Sequence, residues 1–206
     1  KAIQLLKDGV VDRVIGWKAG EFFYDLTPAV FTTAEEVEKS FVWSVFSAAN
    51  VSKYLIAESK KGGRIAAFLK PCDSYSFVQL CKEHRIAKEN VYVVGVQCDG
   101  TCDIEKLKAL GFKGVTGVEE RGEELLVSTL YGGKTAAKKD ALLERCMVCK
   151  SKRIAYFDEL LGEQGEDCGD ARFEAVEKLE AMTPEERFAF WRGELSRCIR
   201  CNACRN

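Results

Sequence analysis

The sequence predicts an α/β fold, with a mainly parallel sheet, flanking helices and a helical segment after the sheet. Two continuously apolar runs, "RIAAFLK" (residues 64–70) and "VYVVGVQ" (residues 91–97), are typical of strands buried on both faces. The stretch between them, residues 74–84, has a helical pattern. Strands joined in this way pair in parallel through a right-handed crossover. These three segments are the main basis for the predicted fold class.

Two further strands and a helix are predicted ahead of this unit. Residues 11–17 ("VDRVIGW") and 21–26 ("EFFYDL") have strand patterns, and a helix is expected to begin at Thr33, since acidic residues fill its first turn. Six aromatic residues of this region are interpreted as core side chains rather than a flavin-stacking surface: Trp17, Phe22, Phe23, Tyr24, Trp43 and Phe46.

The second half of the chain becomes progressively more helical and charged. A helix over residues 104–111 ends at a glycine suited to a left-handed cap, and residues 113–133 predict two weaker strands around a charged turn. Thr183 and Pro184 are expected to cap and begin the last helix. We therefore predict an α/β body over residues 1–150 and a helical segment over residues 151–206.

Composition excludes several classes of protein. The 206 residues are 47% hydrophobic and 31% charged, the balance of a globular protein. With 31 basic and 32 acidic residues, the net charge of -1 gives no indication of nucleic acid as a partner. No apolar run approaches the roughly 20 residues that span a bilayer, so no membrane span is predicted.

The ten cysteines are unusual for a chain of this length. The first residues, "KAIQLLKDGV", lack a signal-peptide cleavage pattern and an initiator methionine. We therefore expect a cytoplasmic, reducing location and a chain that is cut at both ends. In such a location, grouped cysteines are metal ligands or redox centres more often than disulfides.

Four cysteines of the body predict one shared metal site. Cys72 follows the first buried strand and Cys98 follows the second, so both are expected at the same sheet edge. The helix beginning near Asp73 would favour a thiolate or an anionic cluster. Cys146 and Cys149 form a C-x-x-C pair, in which one turn directs two sulfurs to one centre. Four sulfurs suit either a 4Fe-4S cluster or tetrahedral zinc.

Other interpretations of these cysteines stay open. Cys102 and Cys168 are alternatives for either loop cysteine, whereas Cys81, inside a predicted helix, is interpreted as a packing residue. A thioredoxin-like exchange centre at Cys146 and Cys149 ranks below metal binding, because that motif follows a strand, whereas here it follows the helix-like "AAKKDALLER".

The chain ends with three evenly spaced cysteines, Cys198, Cys201 and Cys204. This C-x-x-C-x-x-C spacing is the first part of the bacterial ferredoxin motif C-x-x-C-x-x-C-x-x-x-C-P. Zinc sites usually consist of separated pairs. The end of the chain therefore predicts the start of a ferredoxin-like 4Fe-4S module that is truncated at Asn206.

The order of these segments resembles a known family. The stretches "KPCD", "VYVVGVQCDG", "CMVCKSKRIAYFDELLGE" and "MTPEERFAFWRGELSRCIRCNACRN" are similar to the iron-sulfur proteins related to the beta subunit of the coenzyme F-420 hydrogenases and dehydrogenases. The resemblance extends over nearly the whole chain. It implies that the body cluster is bound by Cys72, Cys98, Cys146 and Cys149. It also implies a fourth cysteine and a proline beyond Asn206, which would complete a second cluster.

The resemblance implies an electron-transfer subunit with other redox subunits as partners, in a complex of the hydrogenase, formate dehydrogenase or heterodisulfide reductase type. No catalytic residue is assigned. One alternative is a flavin-dependent oxidoreductase acting on the deazaflavin coenzyme itself. FAD is expected from the kinship alone, because no G-x-G-x-x-G fingerprint supports it. A structural zinc module is the second alternative.

Overall fold

A computed structural model describes residues 1–150, 152–166 and 171–204. The chain divides into two compact units, Lys1–Cys168 and Gly169–Asn206. The predicted boundary between the α/β body and the helical segment, at residues 150 and 151, stays a prediction.

The strands are β1 (Arg13–Ala19), β2 (Leu26–Phe31), β3 (Ile65–Leu69), β4 (Val91–Val96), β5 (Val115–Arg121), β6 (Glu124–Thr129), β7 (Gly132–Ala137) and β8 (Glu159–Leu161). The α-helices are α1 (Ala2–Lys7), α2 (Ala34–Ser40), α3 (Leu55–Glu58), α4 (Pro71–Lys82), α5 (Ile104–Ala109), α6 (Lys138–Ala141), α7 (Glu144–Met147), α8 (Glu174–Glu180) and α9 (Pro184–Ser196). Short 3-10 helices cover Ser52–Tyr54, Lys88–Asn90 and Ala171–Phe173.

The first unit, Lys1–Cys168, is called the body from here on, and its main sheet has the strand order β2-β1-β3-β4-β8. Strands β1, β3, β4 and β8 are parallel, and β2 pairs antiparallel with β1. This mainly parallel sheet with flanking helices confirms the predicted α/β fold class. In the register of β3 against β4, Leu69 pairs with Gly95, so the carboxyl ends of these two strands lie at the same edge.

The core of the body lies around the central strands. Every residue of β3 is buried, as its continuous apolar sequence predicts. Trp17 on β1, Leu69 on β3 and Phe77 on α4 are almost fully buried. Burying a side chain of this size contributes roughly 1.5–3 kcal/mol. The sheet edge at the ends of the central strands therefore adjoins a well-packed core.

The predicted strand at residues 21–26 is wrong. These residues form a turn in which the amide of Gly20 donates to the carbonyl of Asp25 at 2.6 Å, and β2 begins only at Leu26. Because β1 and β2 are adjacent antiparallel strands, the chain must reverse between them, and this requirement outweighs the strand preference of the aromatic residues.

The aromatic residues are only partly in the core. Trp17 and Phe46 are buried as predicted, whereas Phe22 is 52% exposed and Trp43 is 38% exposed. The Phe22 ring stacks on the Tyr24 ring with 5.3 Å between centroids. The core interpretation is therefore wrong for Phe22 and Trp43.

A second sheet of the body consists of β5, β6 and β7 in antiparallel order. The predicted pair of weak strands corresponds to β5 and β6. Strand β7 was not predicted, since its sequence "GGKTAA" has low strand propensity and is positioned by pairing with β6. The edge strand β8 was also not predicted, because three residues give no periodic signal.

Two helix starts bear on the cysteines. Helix α4 begins at Pro71, three residues before the predicted start, because proline suits the first helical position. This start places Cys72 in the first turn. Helix α9 begins after Thr183, whose side chain accepts from the amide of Glu186, as predicted.

The C-terminal unit contains α8 and α9, and no residue of either helix is buried. Its exposed apolar side chains are Phe173, Val176, Phe188, Phe190, Trp191, Leu195 and Ile199. Within the part of the chain that the structure describes, no helix is both long and apolar enough to cross a membrane.

Candidate metal centre

The carboxyl ends of β3 and β4 place two predicted ligands next to each other. Cys72 lies in the first turn of α4, just after β3, and Cys98 lies two residues after the end of β4. Leu69 of β3 pairs with Gly95 of β4, so the segments that carry Cys72 and Cys98 leave the sheet at the same edge. The fold thus brings together cysteines that are 26 residues apart in the sequence.

Cys146 reaches the same edge from α7. Its Sγ accepts from the backbone amide of Thr101 at 3.4 Å and lies 3.3 Å from the Thr101 Oγ1 atom. Gly100 permits this approach: its φ is +105°, and an added Cβ would lie 2.6 Å from Cδ2 of Leu142 and 3.4 Å from the Cβ of Cys146. Cys146 also influences the pKa of both Cys72 and Cys98.

Cys149, the fourth predicted ligand, lies in the turn that follows α7. Its amide donates to the carbonyl of Cys146 at 3.4 Å, and the residue is half-buried. This backbone bond keeps the C-x-x-C pair in one turn. The predicted helix-like stretch before the pair is divided into α6 and α7, and Cys146 lies inside α7.

Burial raises the pKa of two of the predicted ligand thiols, Cys72 and Cys98. Burial raises the pKa of Cys72 to about 12, with a further rise from Asp73, although the residue retains exposed surface. The pKa of Cys98 is also raised, mainly by burial, while Lys70 acts in the opposite direction. A raised pKa favours the neutral thiol, whereas a bound metal cation would favour the thiolate.

A buried ion pair adjoins Cys72. The Nζ atom of Lys70 lies 2.9 Å from Oδ2 of Asp73, and both side chains are almost fully buried. Burial is the main cause that raises the pKa of Asp73, and Lys70 and, more weakly, Arg145 oppose that rise. This pair was not identified from the sequence, although the i, i+3 spacing within "KPCD" is a signal that could have revealed it.

A cavity of about 320 Å³ lies beside Cys98. Trp43 and two buried lysines, Lys70 and Lys138, line it, and Lys138 is paired with Glu120. The sequence did not identify this cavity, because its walls come from five separate segments. Trp43, which is 38% exposed, lines this cavity and also a second one with Phe41 and Phe68.

The remaining body cysteines lie in different settings. Cys102 is buried, and burial raises the pKa of its thiol to about 11. Its amide donates to the carbonyl of Val45 at 2.7 Å. Cys81 packs against the core from α4. Cys168, the other alternative ligand, lies outside the described residues.

The donor chemistry fits an iron-sulfur cluster. Thiols from three separate segments lie at this edge, a fourth follows in the same turn as Cys146, and the Thr101 amide donates to the Cys146 sulfur. Across residues 1–150, 152–166 and 171–204, no three His, Cys, Asp or Glu side chains are close enough to hold a single metal ion.

The terminal cysteines form a separate group at the end of α9. Cys198, Cys201 and Cys204 are all exposed. The Sγ atom of Cys198 accepts from the amide of Arg200 at 3.4 Å. Arg200 and Asn202 have φ values of 58° and 60°, a left-handed backbone that is uncommon for residues other than glycine. The local turn therefore directs a backbone donor at a predicted ligand sulfur.

Comparison with curated proteins identifies two similar beta subunits. The chain is 36% identical over 97 residues to F420-dependent formate dehydrogenase 1 subunit beta of Methanococcus maripaludis. It is 35% identical over 97 residues to F420-dependent formate dehydrogenase subunit beta of Methanocaldococcus jannaschii. Each match covers 47% of this chain and 25% of the relative. The match thus spans about a quarter of the length of these relatives. No family model matches the sequence.

Comparison with solved structures gives a similar fold. A chain of the xenon-derivatised F420-reducing NiFe hydrogenase complex from Methanosarcina barkeri matches with a TM-score of 0.56 and 18% sequence identity. The match covers 71% of this chain and 56% of that chain. At this identity the likeness supports the α/β fold class alone.

Proposed function

We propose a function from the premise that this chain is related to the F420 hydrogenase and dehydrogenase beta-subunit family, as the curated matches indicate. The proposed function is an iron-sulfur electron-transfer subunit of a soluble, cytoplasmic redox complex of the hydrogenase, formate dehydrogenase or heterodisulfide reductase type. Its partners would be other redox subunits. The observation that carries this proposal is geometric: Cys72 and Cys98 follow parallel strands that end at one sheet edge, and the Cys146 sulfur is hydrogen-bonded to Thr101, three residues after Cys98.

The body residues have distinct roles in this proposal. Cys72, Cys98, Cys146 and Cys149 would bind a 4Fe-4S cluster, which supplies reversible one-electron transfer when bound. Thr101 positions Cys146 through two contacts to its sulfur. Hydrogen bonds to ligand sulfurs and exclusion of water are the means by which a protein sets the potential of such a centre.

The C-terminal unit would supply a second site. Cys198, Cys201 and Cys204 offer three of the four sulfurs that a second 4Fe-4S cluster needs. The hydrogen bond from the amide of Arg200 to Cys198 is of the kind that stabilises a ligand thiolate. A fourth ligand would be needed to complete this cluster.

The cavity beside Cys98 favours a second candidate function, a flavin-dependent oxidoreductase acting on the deazaflavin coenzyme. Its volume of about 320 Å³ and the partly exposed side chain of Trp43 suit part of a planar ring. Trp43 would hold the flavin ring of FAD in this cavity, and the flavin would supply hydride transfer with the deazaflavin. This candidate ranks second because the described residues show no dinucleotide fingerprint.

One experiment separates these functions and the structural-zinc alternative. The protein is purified anaerobically, and iron, acid-labile sulfide, zinc and flavin are measured together. We expect iron and sulfide in equal amounts, with an EPR signal after reduction. A flavin absorption band that is bleached by the reduced deazaflavin would favour the oxidoreductase. Zinc without sulfide would select the structural module, and absence of iron and sulfide would contradict electron transfer through clusters.

A further inference from the structure

The charged ammonium group of Lys70 is buried. The residue is 2% exposed, and its Nζ atom contacts three groups from different parts of the body. It lies 2.9 Å from Oδ2 of Asp73, donates to the carbonyl of Ala49 at 3.2 Å, and lies 4.3 Å from the centroid of the Trp17 ring. These contacts use the donors of the ammonium group and fix the position of its charge.

Asp73 connects this ammonium to a predicted cluster ligand. Its side chain is fully buried, with Oδ2 on Lys70 and Oδ1 accepting from the Cys72 thiol at 3.9 Å. The Oδ2 atom also accepts from the backbone amide of Lys70 at 3.3 Å. Ser52 donates to the backbone carbonyl of Asp73 at 2.6 Å. The carboxylate therefore cannot move away from Cys72 without breaking several buried bonds.

We propose that the buried Lys70–Asp73 pair sets the reduction potential of a cluster bound through Cys72, with Asp73 lowering that potential and Lys70 compensating it. This inference rests on the proposed function. A fixed negative charge beside a ligand sulfur opposes the arrival of an electron, and a fixed positive charge favours it. Both charges act strongly because the buried surroundings screen them little. Neither residue would bind the cluster itself, because each would act on it through Cys72.

A purely structural role would have a different signature. Removing either partner of a buried ion pair destabilises a protein, because the other charge is left unpaired. Stability and cluster content would then fall in both single variants. If the two charges set the reduction potential, removing Asp73 and removing Lys70 should shift that potential in opposite directions. A loss of packing would not produce opposite shifts.

The test compares three variants with the parent protein by redox titration followed by EPR, together with iron and sulfide content. Asp73→Asn is the main test variant, because it removes the negative charge but keeps the side-chain shape and an acceptor for the Lys70 amide. Lys70→Met is the opposite arm, and the double variant removes both charges. Lys138→Met is the matched control, because this buried lysine lines the same cavity but pairs with Glu120.

At the parent's midpoint potential, we expect Asp73→Asn to raise the ratio of reduced to oxidised cluster about tenfold, a shift of about +59 mV for one electron. Lys70→Met should lower the ratio, and the double variant and Lys138→Met should stay near the parent. Unchanged potentials in both single variants, or shifts of the same sign, would overturn this inference alone. A parent protein without iron and sulfide would overturn the proposed function and this inference together.

Discussion

The two groups of cysteines differ in what positions them. In the body, Cys72 and Cys98 follow parallel neighbouring strands that end at one sheet edge, and Cys146 reaches this edge from α7 through its hydrogen bond to Thr101. In the C-terminal unit, the predicted ligands lie within seven consecutive residues and are exposed. The body site is therefore a product of the tertiary fold, whereas the terminal group depends on local spacing alone.

This difference has an energetic consequence. The body cysteines adjoin packed strands and a buried ion pair, so their positions depend on the stability of the body. The helices α8 and α9 bury none of their residues. Helices that bury so little apolar surface gain little stability from packing. We expect metal removal to disorder the C-terminal unit far more than the body.

The largest expected effect comes from removing one ligand in each group. Cys98→Ser should abolish the body cluster and lower the iron content by about four atoms per chain. Cys201→Ser should prevent only the terminal cluster and leave the body iron in place. Iron and sulfide analysis of the anaerobic proteins, with EPR of each, measures both effects.

The matched control for these variants is Cys81→Ser, since Cys81 packs on α4 away from the predicted ligands. This variant should keep the parent's iron content. Equal iron in Cys98→Ser and Cys81→Ser would contradict the assignment of Cys98 as a ligand. Loss of body iron in Cys201→Ser would contradict the independence of the two groups.

A second prediction concerns the close approach at Gly100. A methyl group there would collide with Leu142, next to the segment that carries Cys146. Gly100→Ala should lower the free energy of unfolding of the metal-free body by roughly 1–3 kcal/mol and reduce cluster loading.

Gly122→Ala is the comparison for Gly100→Ala, because Gly122 also has a positive φ but no atom within 4 Å of an added Cβ. Denaturant titration of both variants separates backbone strain from the collision. A smaller loss in Gly100→Ala than in Gly122→Ala would show that the Gly100 contact does not hold the Cys146 segment.

The sequence predicted the parts of the body that depend on local pattern. The apolar runs of β3 and β4 predicted buried parallel strands, and their ends placed Cys72 and Cys98 at one edge. The Thr33 and Thr183 caps were also predicted correctly. The similarity to the F420 beta subunits confirms the family resemblance. The assignment of the cysteines as ligands stays a prediction.

The rest could not be predicted because it depends on contacts distant in sequence. The turn at residues 20–25 is imposed by the antiparallel pairing of β1 with β2. Strand β7 exists only through β6. The Lys70 contacts to Trp17 and Ala49 join segments that no local pattern relates. Trp43 was assigned to the core because a sequence does not show a cavity.

A third prediction uses the same cap in both units. Thr33 and Thr183 each accept from the amide three residues later, at 3.2 Å and 3.3 Å. Thr33→Ala should lower the free energy of unfolding of the body by about 1 kcal/mol. Thr183→Ala should reduce the helix content of the C-terminal unit and leave body unfolding unchanged. Circular dichroism measures the helix content and denaturant titration measures the stability of the body. Equal losses of body stability in the two variants would contradict the expectation that the Thr183 cap affects only the C-terminal unit.

The smallest expected effect is the response of these caps to acid. Hydrogen bonds from the backbone amides of Thr32 and Thr183 lower the pKa of Glu36 and of Glu186, respectively. A lowered pKa in the folded state means that the stabilisation is present above the ordinary glutamate pKa of about 4.3 and is lost as the pH falls through the lowered value.

NMR titration of the Thr32 and Thr183 amides should therefore give midpoints below the ordinary glutamate value. Midpoints at or above that value would contradict the cap geometry. The Glu36 midpoint should persist in metal-free protein, whereas that of Glu186 should return to the ordinary value if the C-terminal unit loses its structure.

The central claim is that the body sheet edge binds a 4Fe-4S cluster without help from the terminal cysteines. The most direct test is EPR of a chemically reduced variant in which Cys198, Cys201 and Cys204 are all replaced by serine, with iron and sulfide measured on the same sample. We predict a retained 4Fe-4S signal with about four iron and four sulfide per chain. A variant with no signal and no sulfide, prepared beside a parent that has both, would contradict the claim.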